Sequence, residues 1–319
     1  METTPQRDAP NVALIVPVFN EELAIAGVLD ALLASPAAAG AEIIAVDDGS
    51  TDGTPEILRR YAGRVRVLRH AANRGYGAAL KTGILNTRAR DVLFFDGDGQ
   101  HDPADLPRLL AALQTHEFVF GARPRHAGID PLRKPGKWLL HRLCNLLASQ
   151  RIPDINCGLR AGRRRLYMRM LDLLPDGFSF SVTSLMYVLK SRFSRVFLPV
   201  ACRPRQGVSS VRILHDGLKT VLLALRLIML FDPLRAFGIP ALALIAAGIA
   251  YQIYIFAATG LHIEGGSLLS LLAGIILFHF GLLGDQIASL RKEISSHYSL
   301  FWEEQQSASP PEEARNSPP

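Results

Sequence analysis

Apolar positions along the chain follow two regimes. Up to residue 203 they form short runs bounded by turn or polar residues: 12–19 (VALIVPVF), 42–47 (EIIAVD), 65–70 (VRVLRH), 91–96 (DVLFFD), 118–122 (FVFGA) and 195–202 (RVFLPVAC). Runs of this length, rich in β-branched and aromatic residues, predict strands. Between them the spacing becomes helical. Residues 21–34 are rich in Ala and Leu with acids in the first turn, Thr54-Pro55 reads as an N-cap with proline at N1, and 75–87 and 103–113 follow. The alternation predicts an α/β domain built on a mostly parallel, doubly wound sheet, with ligands bound outside the carboxyl ends of its strands.

Beyond residue 236 the pattern is different. Two stretches, about 237–259 and 266–288, carry no charge before Asp285 and reach the length of about 20 residues that spans a bilayer. They predict two transmembrane helices within residues 236–290. The link LHIEGG between them holds no Lys or Arg, whereas Arg226 and Arg235 precede the first span and Arg291 and Lys292 follow the second. The positive-inside rule therefore places both chain ends and the N-terminal domain in the cytoplasm, on the inner face of the cell membrane. Residues 211–235 are apolar but interrupted by Lys219, Arg226 and Asp232, which suits an amphipathic helix lying in the interface. Polar residues 1–10 read as a flexible N-terminus and 303–319 as a disordered tail, leaving 11–210 as the catalytic-sized domain.

Composition sharpens parts of this picture. Of 319 residues, 49% are hydrophobic and 20% charged, which excludes wholesale disorder. The net charge of +6 is weak support for nucleic acid as a partner, and no nucleic acid is expected; its placement says more. Residues 203–235 carry six basic side chains against two acids, and 123–142 six against one, so cationic charge gathers beside the membrane and after the fifth strand. Trp138 lies in the second group, which reads either as a flexible loop touching lipid headgroups or covering the site, or as a solvated one. The three cysteines lie far apart with no C-x-x-C pair, as expected in a reducing compartment. Ala246, Ala247, Gly248, Gly281 and Gly284 suit close helix packing within the chain or between copies, so a homo-oligomer stays open.

The candidate chemistry sits at strand ends. Asp96-Gly97-Asp98 follows the fourth strand, where paired carboxylates can grip Mg²⁺ or Mn²⁺ and, through the ion, phosphate oxygens. Asp47 or Asp48, ending the second strand, offers an acceptor for base N–H or ribose hydroxyl groups; an Asx turn and helix start explains residues 50–54 beside them and is compatible with that role. Asn73-Arg74-Gly75-Tyr76-Gly77 contains G-x-G without the rest of the dinucleotide fingerprint, and no P-loop occurs, so a Rossmann dehydrogenase and a P-loop hydrolase are disfavoured.

In order, VPVFNEE (16–22), AVDDGSTDGT (45–54), NRGYGAALKTG (73–83), DGDGQHDP (96–103), GAR (121–123), DINCGLR (154–160) and RPRQGVSS (203–210) resemble glycosyltransferase family two, closest to its polyprenyl-phosphate and dolichyl-phosphate glycosyltransferases. The resemblance implies a GT-A fold and inverting transfer of one sugar from a nucleotide-diphosphate sugar to a polyprenyl phosphate. It implies nucleotide-sugar contacts at Pro17, Asn20, Glu21, Asp47, Asp48, Asp96 and Asp98, and a metal at Asp96, Asp98 and Gln100. It also implies an acceptor-phosphate site at Arg123, Arg160, Arg203 and Arg205, with Asp96, Asp98 and Arg123 as the catalytic group. His101 has no assigned role. Two departures bear on the acceptor side: Cys157 stands where the family more often has Ser, and Gly207-Val208-Ser209-Ser210 lacks the usual Lys. A processive polysaccharide synthase is disfavoured because no Q-x-x-R-W motif occurs, and a catalytically silent nucleotide-sugar-binding scaffold because both Asp96 and Asp98 are present.

Overall fold

The strand β1 (Val12–Val18) is buried at every position after the first, as a run apolar on both faces requires at the centre of a parallel sheet. Its neighbours are β2 (Glu42–Asp47) and β4 (Asp91–Phe94), both parallel to it, and β3 (Arg66–Arg69) extends the sheet beyond β2. This is a computed structural model, and it describes residues 11–124, 134–203 and 213–308. Residues 1–10, most of the loop after Arg123, Arg205, the segment 207–210 and residues 309–319 lie outside the described residues.

The full order is β3-β2-β1-β4-β6-β5-β7, with β5 (Phe118–Ala122) parallel to β7 (Arg195–Pro199) and β6 (Arg160–Arg163) antiparallel to both β4 and β5. All six strands expected from the apolar runs are present. The seventh, β6, has the sequence RAGR and no hydrophobic run to announce it. Its reversed direction brings its first residues to the edge where the parallel strands end, so the segment 154–160 faces the site.

Helices cover both faces: α1 (Ile25–Ala34), α2 (Thr54–Arg60) and α4 (Leu106–Ala112) on one, α3 (Tyr76–Leu85), α5 (Lys134–Ala148), α6 (Arg164–Met170) and α7 (Phe180–Lys190) on the other. Gly53 rather than Thr54 caps α2; the Thr54 hydroxyl is engaged elsewhere, accepting from Glu21 N at 2.9 Å. Pro17 is tolerated inside β1 because pairing with β4 ends at Ile15, so the missing N–H breaks no ladder bond on that side.

Helix α8 (Ile213–Phe231) presses Leu227, Leu230 and Phe231 into the core cluster beneath α5 and α7 while exposing Leu222, Leu225 and Met229, and leads into α9 (Pro233–Thr259). The final helix, α10 (Gly265–Ala308), continues past its apolar part, Gly265–Arg291, and packs on α6 and the Leu171–Leu173 turn. Residues 303–308, expected as part of a disordered tail, are helical. Both apolar helices are long enough to cross a membrane and leave most of their side chains exposed, as lipid-facing helices do. Gly248, Gly274, Gly281 and Gly284 face the α9–α10 seam or its base within this chain, where a Cβ would meet atoms of the neighbouring helices.

Candidate active site

The carboxyl ends of β1 and β2 are tied together before any ligand arrives. Asn20, in the left-handed region at φ 53°, donates its N–H to Ser50 Oγ at 3.0 Å and accepts from Thr51 N at 2.9 Å. Gly53 N donates to Glu22 Oε2 at 2.8 Å. The motifs around Asn20-Glu21 and Ser50–Thr54 thus form one interlocked rim. Pro17 lies within it as a packing residue: it is buried, and its carbonyl oxygen lies 3.0 Å from where a Gly97 Cβ would be.

Asp47 and Asp48 are both nearly inaccessible, 1% and 2% exposed. Asp48 has three protein partners: Oδ1 accepts from Arg74 N at 2.9 Å and meets His70 Nδ1 at 2.7 Å, and Oδ2 accepts from Gly75 N at 2.7 Å. His70 Nε2 continues the chain to Thr82 Oγ1 at 2.8 Å. Asp47 Oδ1 accepts from Ser50 N at 2.8 Å, while Oδ2 lies 3.1 Å from Arg69 Nε without hydrogen-bond alignment. These carboxylates build the loops around the pocket, Asp48 by holding the segment 70–75 against the end of β2.

Asp96, Asp98 and Gln100 occupy one loop after β4, and the structure brings Arg203 to it. Arg203 N donates to Gln100 O at 2.8 Å, Gln100 Nε2 to Arg203 O at 3.4 Å, and His101 bridges Cys202 across an isolated antiparallel pair. Gln100 N also donates to Asp98 Oδ1 at 3.1 Å. Asp96 is oriented from two sides: Tyr76 Oη donates to Oδ1 at 2.9 Å, and His101 Nε2 lies 3.4 Å from Oδ2. Burial would raise its carboxyl pKa, but the His101 ring, the Tyr76 hydroxyl and the Arg123 charge together hold it below the ordinary carboxylate value. Burial beside Asp96 keeps the Tyr76 phenol protonated far above its usual range, so it remains a donor.

The basic residues separate. Arg123, at the end of β5, forms a two-pronged pair with Asp154, Nε to Oδ2 at 2.7 Å and Nη2 to Oδ1 at 3.2 Å. Burial opposes both charges, yet the pair outweighs it: Asp154 is held below the carboxylate range and Arg123 above its own. Arg203 is exposed and pairs with Asp102. Arg160 is different. It is 1% exposed and donates to the carbonyls of Cys157 at 2.6 Å, Ile155 at 3.1 Å and Ser181, and to Ser184 Oγ at 3.2 Å, with its guanidinium 5.4 Å from the Phe120 ring centre. Its expected role on a phosphate is therefore corrected to that of a core cation that ties β6 to α7. Cys157 is likewise buried against Gly121, its thiol pushed up to about 12 by burial, and it lies close enough to the Arg123–Asp154 pair for their charges to act on it.

Sequence reasoning left Tyr76, His70, His101 and Asp154 without site roles. Tyr76 lay in the G-Y-G loop and Asp154 in DINCGLR, but no local period reports that either reaches a partner so far along the chain. The donor set at the β4 end suits a hard divalent cation. Among the described residues no three His, Cys, Asp or Glu side chains converge, so two carboxylate positions would leave most of the coordination shell to diphosphate oxygens and water, as such ions accept.

Comparisons with known proteins give two family models and a set of relatives. The Glycosyl transferase family 2 model matches residues 13–171, and the GtrB C-terminal hairpin model matches 232–290. A dodecaprenyl-phosphate galacturonate synthase of Rhizobium johnstonii is 30% identical over 177 residues, covering 53% of this chain and 52% of the relative, so the match spans about half the length of that protein. An undecaprenyl-phosphate 4-deoxy-4-formamido-L-arabinose transferase of Aeromonas hydrophila is 26% identical over 313 residues, covering 92% of this chain and 93% of the relative. Among solved structures, glucosyl-3-phosphoglycerate synthase from Mycobacterium tuberculosis, in complex with Mn²⁺, UDP and glucosyl-3-phosphoglycerate, superposes with a TM-score of 0.54 at 22% identity over 69% of this chain and 79% of that one.

Proposed function

This chain belongs to glycosyl transferase family 2, and from that premise we propose that it moves one sugar from a UDP- or GDP-linked donor to a polyprenyl phosphate at the cytoplasmic membrane face, with inversion, giving a polyprenyl-phosphate monosaccharide. The observation that carries the reading is the Asp96/Asp98 loop at the end of β4 in a domain joined through α8 to a two-helix membrane hairpin. The first part suits diphosphate chemistry, and the second would hold the domain beside a lipid acceptor.

An acceptor phosphate is already anionic near neutral pH, so its oxygen can attack C1 of the sugar without a strong base; the bond from C1 to the diphosphate oxygen breaks, and its electron pair leaves with the nucleoside diphosphate. The main task is to hold two anions in line against their repulsion. Asp96 and Asp98, with Gln100, are the residues that would hold Mg²⁺ or Mn²⁺, which when bound neutralises charge growing on the leaving diphosphate. Tyr76 and His101 fix the Asp96 carboxylate. Arg123, held in register by Asp154, and Arg203, beside Gln100, present guanidinium donors to the acceptor phosphate, and Arg205 is proposed for the same role. The interlocked rim of Asn20, Glu21 and the Asp47-Asp48 turn shapes the nucleotide pocket.

The test uses the full-length protein in lipid nanodiscs with polyprenyl phosphate, Mg²⁺ or Mn²⁺, and a panel of nucleotide sugars, UDP-sugars first because the Mycobacterium tuberculosis enzyme of the same fold was solved with UDP. The expected product is a lipid-linked monosaccharide from one donor, lost in Asp98→Ala. Products longer than one sugar, or no turnover with any donor, would overturn the reading.

A further inference from the structure

Phe178 is 78% exposed, yet its ring is stacked on Tyr76, with centroids 5.7 Å apart and planes 14° from parallel. Through the Tyr76 hydroxyl the stack reaches Asp96 Oδ1 at 2.9 Å. An open aromatic face therefore begins one ring away from the carboxylate loop.

The shelf is anchored. Ala78 N donates to Asp176 O at 2.9 Å, and Lys81 Nζ pairs with Asp176 Oδ1 at 2.8 Å. Gly75 and Gly77 let the two loops close: a Cβ at 75 would lie 2.5 Å from Asp176 O, and one at 77 would lie 2.2 Å from Pro175 O. This close approach accounts for the G-Y-G sequence, and Gly75 also needs its φ of 106°. The backbone on both sides of the stack is thus tied down while an apolar ring faces outward.

Its side of the molecule is also defined. Two residues further on, Phe180 is fully buried in the cluster that contains Leu227, Leu230 and Phe231 of α8, the helix that runs into the first membrane span. Helices α1, α2 and α4 pack on the opposite face of the sheet. The exposed ring is thus stacked on a residue that packs against the same cluster, on the face of the sheet that α8 also covers.

We propose that Tyr76 and Phe178 form an aromatic subsite for the first isoprene units of the acceptor, adjacent to its phosphate; this rests on the reading of the acceptor as a polyprenyl phosphate. An isoprene unit is flat, apolar and methyl-bearing, and covering the Phe178 face with it removes apolar surface from water on both partners. The subsite adds affinity for the lipid and contributes nothing to the donor.

The full-length protein in nanodiscs is assayed as wild type, Phe178→Ala and Phe178→Leu, with donor and acceptor varied separately. Phe178→Ala is expected to raise the KM for polyprenyl phosphate roughly tenfold, from the loss of one aromatic contact, with donor KM, kcat and Tm unchanged; Phe178→Leu recovers most of the loss. A rise in donor KM instead would assign the ring to the sugar, and an unchanged acceptor KM would remove it from binding; either result overturns the proposal. A benzophenone side chain at position 178 supplies a readout without turnover: crosslinking to polyprenyl phosphate in the absence of donor supports the subsite, and no crosslink overturns it. If the wild type forms no lipid-linked sugar, the transfer reading fails while the crosslink still decides whether this surface binds the lipid.

Discussion

Gly158 stands against the carboxylate of Asp96: a Cβ at position 158 would lie 1.9 Å from Oδ2 and 2.5 Å from Oδ1. The requirement for glycine in DINCGLR is therefore spatial and belongs to the β4 loop. Gly158→Ala must displace Asp96 from Tyr76 and His101, and misplacing a substrate-positioning group by about 1 Å costs on the order of 100-fold in rate. The expected outcome is a loss of that size in kcat/KM with a small change in Tm. Full activity in Gly158→Ala would show that the Asp96 position is not needed.

Arg160 and Arg123 make opposite predictions. Arg160→Met strands buried carbonyls of Ile155, Cys157 and Ser181 and is expected to cost about 3–5 kcal/mol, read as a large fall in Tm or loss of folded protein. Arg123→Lys keeps the charge but loses the fork, and is expected to raise the acceptor KM with a smaller stability effect. Equal Tm changes in the two variants, with no change in acceptor KM, would contradict the division.

That contrast marks where the sequence is legible. Six strands, the two membrane spans and the carboxylate loop follow from local patterns, because each is defined by neighbours within about ten residues. The reversed strand β6 does not, since RAGR carries no apolar run and is held by Arg163 pairing with Asp91 and by Arg160 reaching across to Ser181. A guanidinium in a motif reads the same whether it faces phosphate or a core carbonyl. Asp48 illustrates the same limit: its strand-end position is visible, but its bonds to His70, Arg74 and Gly75 depend on a loop more than twenty residues away.

The Arg123–Asp154 pair sets an acid limit. The Asp154 carboxyl is held below its unfolded value of about 3.9, so its contribution to stability is complete above that pH and is lost as pH falls through the lower folded value. Asp154→Asn is expected to cost about 1–3 kcal/mol near neutral pH. The Tm difference between wild type and Asp154→Asn should be greatest at pH 6–7 and shrink below about pH 4. A difference that stays constant down to pH 3 would remove the ionised pair as its source.

The membrane hairpin supplies a prediction independent of catalysis. A Cβ at Gly274 would lie 2.6 Å from Ile245 Cγ1 and 2.9 Å from Ala241 O, so α9 and α10 meet there at a distance only glycine permits. Near the turn, Gln252 holds the link by donating to His262 O at 2.7 Å and accepting from Glu264 N at 3.1 Å, which fixes the register of the two helices. With register fixed at one end, a larger residue at 274 cannot be relieved by sliding and must force the helices apart. Overpacking of this kind costs about 1–3 kcal/mol. Gly274→Leu is therefore expected to lower the Tm of the nanodisc-embedded protein and to reduce disulfide formation between cysteines introduced on facing positions of α9 and α10. Gly260→Ala, at a position with open space but a φ of 85°, should cost less and leave the crosslink intact. Undiminished crosslinking in Gly274→Leu would show that the helices do not pack through this glycine.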